Sequence, residues 1–168
     1  MEQRIYQVYK DYSHKDLQEV KIRSQQGLAD RFVEAAHVAR KLLPFMENEF
    51  QKESIPTEIT RLAFIESMFN HKAHSKQGAK GIWQIMPQTA KRYLKMNHLV
   101  DERYSPYKAT IAAAKILREN YNLLGTWPLA VTAYNHGPSA LKKAVDTLNT
   151  KDLNEIILKH QSKLAELY

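Results

Sequence analysis

The chain contains no cysteine, which removes disulfides and thiolate chemistry and leaves the redox character of its compartment undecided. Glycine and proline are sparse, with five and six among 168 residues, and no stretch is low in complexity or repeats at a solenoid period. No run of about 18 apolar residues occurs, so no segment reads as a membrane-spanning helix. The opening MEQRIYQVYKDYSHKD is polar and charged, unlike the apolar core of a secretory signal. The expectation is a chain that either stays inside the cell or lacks its targeting segment. A hydrophobic fraction of 43% and five scattered Phe exclude a disordered chain and suit one domain with a real core.

Acidic residues are the other scarcity. Lys and Arg number 25 against 18 Asp and Glu, a net charge of +7, which favours polyanionic partners or simply aids solubility. Between Glu66 and Asp101 there is no acid at all, while Lys72, Lys76, Lys80, Lys91, Arg92 and Lys95 fall there. A one-sign stretch beside a lone acid reads as a focused electrostatic surface.

What is present is helical. Phe32, Ala35, Ala36, Ala39, Leu42 and Leu43 make a helix-period stripe, and Pro44 is expected to start a new element carrying Met46 and Phe50. A helix is expected from Pro56, and another from Pro87 towards Lys95. Ser105-Pro106 predicts the start of a long helix stopped by Gly125. Trp127-Pro128 begins a short helix through Tyr134. Helices near Ser139–Leu148 and Asp152–Leu164 complete a mainly α chain, with at most a minimal β element near 78–86. Residues 1–26 read as an extension that packs on the helical domain formed by 27–168.

Ile55, Ile59, Leu62, Ala63 and Glu66 share one helix face, with Thr57, Glu58, Thr60 and Arg61 on the solvated side. Glu66 thus occupies an apolar stripe, among Phe64, Ile65, Met68 and Phe69, where a charged carboxylate is expensive. Desolvation raises a carboxyl pKa, and a protonated glutamic acid near neutral pH is what a general acid needs. The competing reading is a Glu held by a salt bridge or facing water, and position alone leaves the two equal. Further on, Gly78 and Gly81 permit close backbone approach. Trp83 offers a flat face and Gln84 an amide for a sugar, although core packing is the commoner fate of a Trp. Ala133-Tyr134-Asn135 places a phenol and an amide at a helix end beside Gly137.

Taken together, ESMFNHKAHSKQGAKGIWQIMPQTA from Glu66 and the later Ala133-Tyr134-Asn135 resemble the lytic transglycosylase family with its goose-lysozyme-like SLT domain. The pattern is Glu-Ser, then Gly-Ala-x-Gly-x-x-Gln-x-Met-Pro, then Ala-Tyr-Asn. IRSQQGLADRF, VDERYSPYKAT and NYNLLGTWPLAVTAYNHG are similar to the membrane-bound D-type branch, and the resemblance covers about residues 20–150. It implies a lysozyme-like fold in which Glu66 is catalytic acid and then base. Ser67 would support local geometry, and Ser75 would line the catalytic centre. Gly81, Trp83, Gln84 and Met86 would form or support the groove. Tyr134 would hydrogen-bond near Glu66, and Asn135 would order its turn. His71 departs from the pattern, standing where Pro often follows Phe-Asn, which touches local rigidity rather than a catalytic group.

Ordinary glycosidases use two carboxyl groups, about 5–5.5 Å or about 6.5–9.5 Å apart. Glu58 lies roughly 12 Å back along a helix axis, and Asp101 and Glu119 are distant in sequence, so no partner is obvious. A single acid fits a substrate-assisted route. The resemblance implies cleavage of the MurNAc-β-1,4-GlcNAc bond of peptidoglycan glycan strands, closing a 1,6-anhydro ring. A lysozyme-type hydrolase and a non-catalytic wall-binding module are the alternatives. The expected setting is the periplasm or cell envelope, as a monomer without cofactor, metal or nucleic-acid partner. His71 and His74 lack an acid to complete a metal site, and no basic recognition helix stands out.

Overall fold

The computed structural model describes the backbone of residues 14–165 and the side chains of residues 31–159. The expected packing of residues 1–26 rests on side chains that lie outside the described residues. Contacts divide the chain into two units, Met1–Lys41 and Leu42–Tyr168. Helix α1, His14–Lys52, runs from the first unit into the second. In the first unit its Ala35 and Ala39 are buried.

Pro44 does not start an element; it lies inside α1. An interior proline removes one backbone donor and crowds the preceding turn. The helix continues because Leu42, Met46 and Phe50, four residues apart on either side of the proline, are all buried and hold one stripe in place. Packing here outweighs a local breaker. Ser54, in the left-handed region with φ 53°, then turns the chain.

The helix expected from Pro56 is split. Thr57–Arg61 is a 3-10 turn, and only Leu62–Ser67 is α-helical (α2). The tighter winding of the 3-10 turn shifts the face presented to the core. Thr60, expected on the solvated side, is fully buried as a result, its hydroxyl donating to the Thr57 carbonyl at 2.6 Å. The helix expected towards Lys95 is confined to Pro87–Ala90 (α3) and followed by turns. Near 78–86 the β element reduces to isolated antiparallel bridges, His74 with Lys80 and Lys80 with Ile85.

Pro106–Leu124 (α4) is the hub of the second unit. The Ser105 hydroxyl accepts from Lys108 N at its start, and Gly125 with φ 83° ends it. Ala109, Ala112, Ala113 and Ala114 give α4 a small-residue buried face. It packs against Trp127–His136 (α5) and Pro138–Leu148 (α6). Leu124, Leu129, Ala133, Leu141, Val145 and Ile156 form the cluster that also holds Leu153–Ala165 (α7). No described helix is long and apolar enough to cross a membrane.

Trp83 is fully buried, stacked on Phe50 with ring centroids 5.4 Å apart. Its indole N–H donates to Thr110 Oγ1 at 2.9 Å, and that hydroxyl donates to the Pro106 carbonyl at 2.7 Å. Thr110→Val keeps the shape and removes both bonds, stranding a buried donor. Urea unfolding is expected to show a loss of about 1–3 kcal/mol; a loss below about 0.5 kcal/mol would mean the indole finds another partner.

Candidate active site

Glu66 sits in the last turn of α2, half-buried. Burial pushes its carboxyl pKa above the ordinary value of 4.5, because water no longer solvates the anion well. The C-terminal end of a helix also disfavours negative charge. Of the apolar neighbours expected from sequence, Phe69 is buried, and its ring meets Phe64 edge-on at 4.6 Å. Ile65, by contrast, is 81% exposed.

Two consecutive left-handed residues follow, Met68 with φ 51° and Phe69 with φ 56°. Met68 N donates to the Phe64 carbonyl at 3.0 Å and Phe69 N to the Ala63 carbonyl at 3.3 Å, a helix-ending arrangement usually given to glycine. Gln84 is a further residue at positive φ, with φ 45°. Non-glycine residues held there cost about 1–2 kcal/mol each, and such strain concentrates where geometry matters to function.

The segment 73–86 folds into a knot of tight turns. Ser75 Oγ accepts from Ala79 N at 3.0 Å, and Ser75 N donates to the Ala79 carbonyl at 2.9 Å, so Ser75 closes this loop. Gly81 N donates to the Ala73 carbonyl at 2.8 Å, and Gln84 Nε2 returns to the Gly81 carbonyl at 2.9 Å. Ser67 Oγ donates to the Ile82 carbonyl at 2.8 Å, which ties the segment to the end of α2. From α5, the Tyr134 hydroxyl donates to the Trp83 carbonyl at 2.7 Å. Burial drives the phenol pKa well above 10, and the nearby Glu66 charge adds to the rise. Tyr134 therefore stays a donor, coupled to Glu66 through its field.

Gln84, Met86 and Tyr134 line one small cavity of about 40 Å³, with Thr89 and Ile116. Met86 is 42% exposed at its mouth. Of the expected site residues Gln84, Met86 and Tyr134 meet there, Glu66 is not part of its lining, and two others differ from expectation. The Trp83 ring is enclosed in the core and offers no face to a sugar; it contributes its carbonyl instead. Asn135 is exposed, and the turn after it is closed by Gly137 N donating to the Ala133 carbonyl at 2.8 Å.

Sequence reasoning missed Arg103. This buried guanidinium donates through Nη1 to the carbonyls of Gly78 at 2.8 Å and Ile85 at 3.1 Å. Through Nε and Nη2 it grips Asp101 at 2.9 and 2.7 Å. Arg103 holds the Asp101 carboxyl down at about 2, helped by Lys80 at 3.2 Å. Asp101 is thus an ionised structural carboxylate, unsuited to proton transfer near neutral pH. Glu119, the other candidate partner, is bonded to Arg92 and Tyr93. Among the described residues no group of three or more His, Asp or Glu converges as a metal site.

The mainly helical fold matches what the sequence resemblance implied. The profile of the transglycosylase SLT domain family matches residues 44–157, and the chain belongs to that family. Among curated relatives it is similar to membrane-bound lytic murein transglycosylase D of Escherichia coli strain K12. Identity is 35% over 111 residues, covering 65% of this chain and 25% of the relative. A second E. coli strain supplies an equal match of the same name. A putative tributyltin chloride resistance protein of Alteromonas sp. strain M-1 is 29% identical over 115 residues, covering 67% of this chain and 56% of that protein. The chain spans about a quarter to a half of the length of these relatives.

Proposed function

We propose that the chain is a peptidoglycan lytic transglycosylase that cleaves the MurNAc-β-1,4-GlcNAc bond with Glu66 as its only catalytic carboxyl group, in the periplasm or cell envelope. The observation that carries this reading is Glu66 itself, whose burial raises its pKa and so favours the protonated form, while Asp101 and Glu119 are committed to cations. Glu66 gives its proton to the leaving glycosidic oxygen, and the bond from MurNAc C1 to that oxygen breaks. The N-acetyl carbonyl of MurNAc stabilises the developing cation, as in other substrate-assisted glycosidases. The Glu66 carboxylate then takes the proton of the C6 hydroxyl as that oxygen bonds to C1, closing the 1,6-anhydro ring. The residue ends protonated, ready for the next turnover.

Purified sacculi digested by wild type and by Glu66→Gln, with fragments read by mass spectrometry, test the reading. Anhydro-MurNAc ends made by wild type alone are expected. Reducing ends would make the enzyme a hydrolase, and no release by either protein would leave a wall-binding module.

In this reading Tyr134 and Gln84, which line one small cavity, support the centre. Tyr134→Phe removes the donor to the Trp83 carbonyl, and the chain there should relax away from Glu66. Turnover on sacculi is expected to fall about tenfold, equivalent to a single hydrogen bond of about 1.4 kcal/mol. An unchanged rate would remove Tyr134 from the supporting set.

A further inference from the structure

Residues 95–102 form a small hairpin that has no part in the proposed cleavage. Its base is closed by Glu102 N donating to the Lys95 carbonyl at 3.1 Å and by an antiparallel bridge between Met96 and Asp101. Asn97 N donates to the Val100 carbonyl at 2.8 Å. The Asn97 amide oxygen in turn accepts from Leu99 N at 2.9 Å and Val100 N at 2.8 Å, so one side chain shapes the turn. All four residues of the turn, 97–100, are exposed, Leu99 by 80% and Val100 by 42%.

Two adjacent large apolar side chains at a tip are unfavourable in water, and the turn does not need them, because Asn97 supplies its hydrogen bonds. The charges around the hairpin are one-sided. Its two acids are engaged within the fold, Asp101 by Arg103 and Lys80, and Glu102 by Lys95 N, which donates to its Oε2 at 2.7 Å. Lys95 at the base and Lys91 four residues upstream are exposed and make no ion pair among the described residues.

Lysines alone would suit any polyanion, and such a partner has no use for an apolar tip. Side by side, the two features match an anionic lipid bilayer, where phosphates lie over hydrocarbon. The N–H groups of Leu99 and Val100 are already paired within the turn, which lowers the cost of taking them out of water. At about 3.4 Å per residue, the three steps from Met96 to Leu99 span roughly 10 Å. Apolar side chains at the headgroup–acyl boundary are buried by about 5–10 Å. We propose that this hairpin docks the protein on an anionic lipid surface, with Leu99 and Val100 entering the boundary and Lys91 and Lys95 meeting the headgroup phosphates.

Vesicle flotation of the full chain tests this without any cleavage, so its failure leaves the reading of Glu66 untouched. Wild type is expected to float with vesicles of phosphatidylglycerol and phosphatidylethanolamine, less so as salt rises, and not with phosphatidylcholine alone. Leu99→Ser with Val100→Thr is expected to weaken partition at least tenfold at an unchanged melting temperature. Lys91→Gln and Lys95→Gln should each weaken it about fivefold. Leu99→Trp keeps an apolar tip and reports its surroundings: its emission, over the background of Trp83 and Trp127, should shift to the blue on anionic vesicles. Unchanged partition of the Ser/Thr variant would mean that charge alone is read and would overturn the proposal. Equal flotation with phosphatidylcholine, or a Leu99→Trp protein that binds with no blue shift, would overturn it too.

Discussion

Glu66→Gln is expected to lower fragment release from sacculi by about 10³-fold or more, since in the proposed mechanism one side chain serves as both acid and base. Gln keeps the size and the hydrogen-bonding end of Glu but can neither give nor take the proton. The same substitution should leave the fold intact and raise its stability near neutral pH. Burial lifts the Glu66 pKa above 4.5, so the folded state disfavours the carboxylate. The stabilising share of the protonated form is fully present below 4.5 and is lost as pH rises through the raised folded value. A Gln is neutral at every pH and escapes that loss. Melting temperatures of the two proteins should therefore be nearly equal at pH 4, with the variant higher at pH 7–8. A variant that loses activity and stability together at pH 7 would place Glu66 in a structural ion pair, the competing reading of its position.

Features with local signals were legible in the sequence. Ser105-Pro106 and Gly125 marked the ends of α4 because capping and left-handed turns depend on a few adjacent residues. Pro44 misled for the same reason in reverse: the buried spacing of Leu42, Met46 and Phe50 decides the helix, and no local rule sees it. The ring of Trp83 could not be assigned from its neighbours, since its fate depends on Phe50 and Thr110 in other elements.

The clamp at Arg103 was invisible for a deeper reason. Two of its acceptors are backbone carbonyls 25 and 18 residues away, and a carbonyl has no residue identity for a pattern to read. The gathering of Gln84, Met86 and Tyr134 at one cavity was legible only through the order and spacing of the motifs that carry them. Their hydrogen-bond roles were not, because Ser67 and Tyr134 also bond to backbone, at Ile82 and Trp83.

Gly81→Ala should be the most damaging small substitution outside Glu66. Gly81 has φ +77°, and a Cβ there would stand 1.9 Å from the Arg103 carbonyl oxygen and 2.9 Å from its carbon. Backbone must move, since neither atom belongs to a flexible side chain. Arg103 cannot retreat easily, because its guanidinium is bonded to Gly78, Ile85 and Asp101. The displacement therefore falls on the 81–84 turn, whose carbonyls at Gly81, Ile82 and Trp83 receive Gln84, Ser67 and Tyr134. Strain at positive φ and the overpacking add to an expected loss of about 2–5 kcal/mol in urea unfolding. Gly78→Ala isolates the first contribution: Gly78 has φ +91°, but a Cβ there meets only the Pro87 ring at 3.6 Å. That variant should lose about 1–2 kcal/mol and retain most of its activity below its melting point. Gly81→Ala should lose activity even where it remains folded, since the turn that joins α2 to α5 through the site is the part displaced. Equal losses for the two variants would show that φ alone, and not the approach of Arg103, makes glycine necessary at position 81.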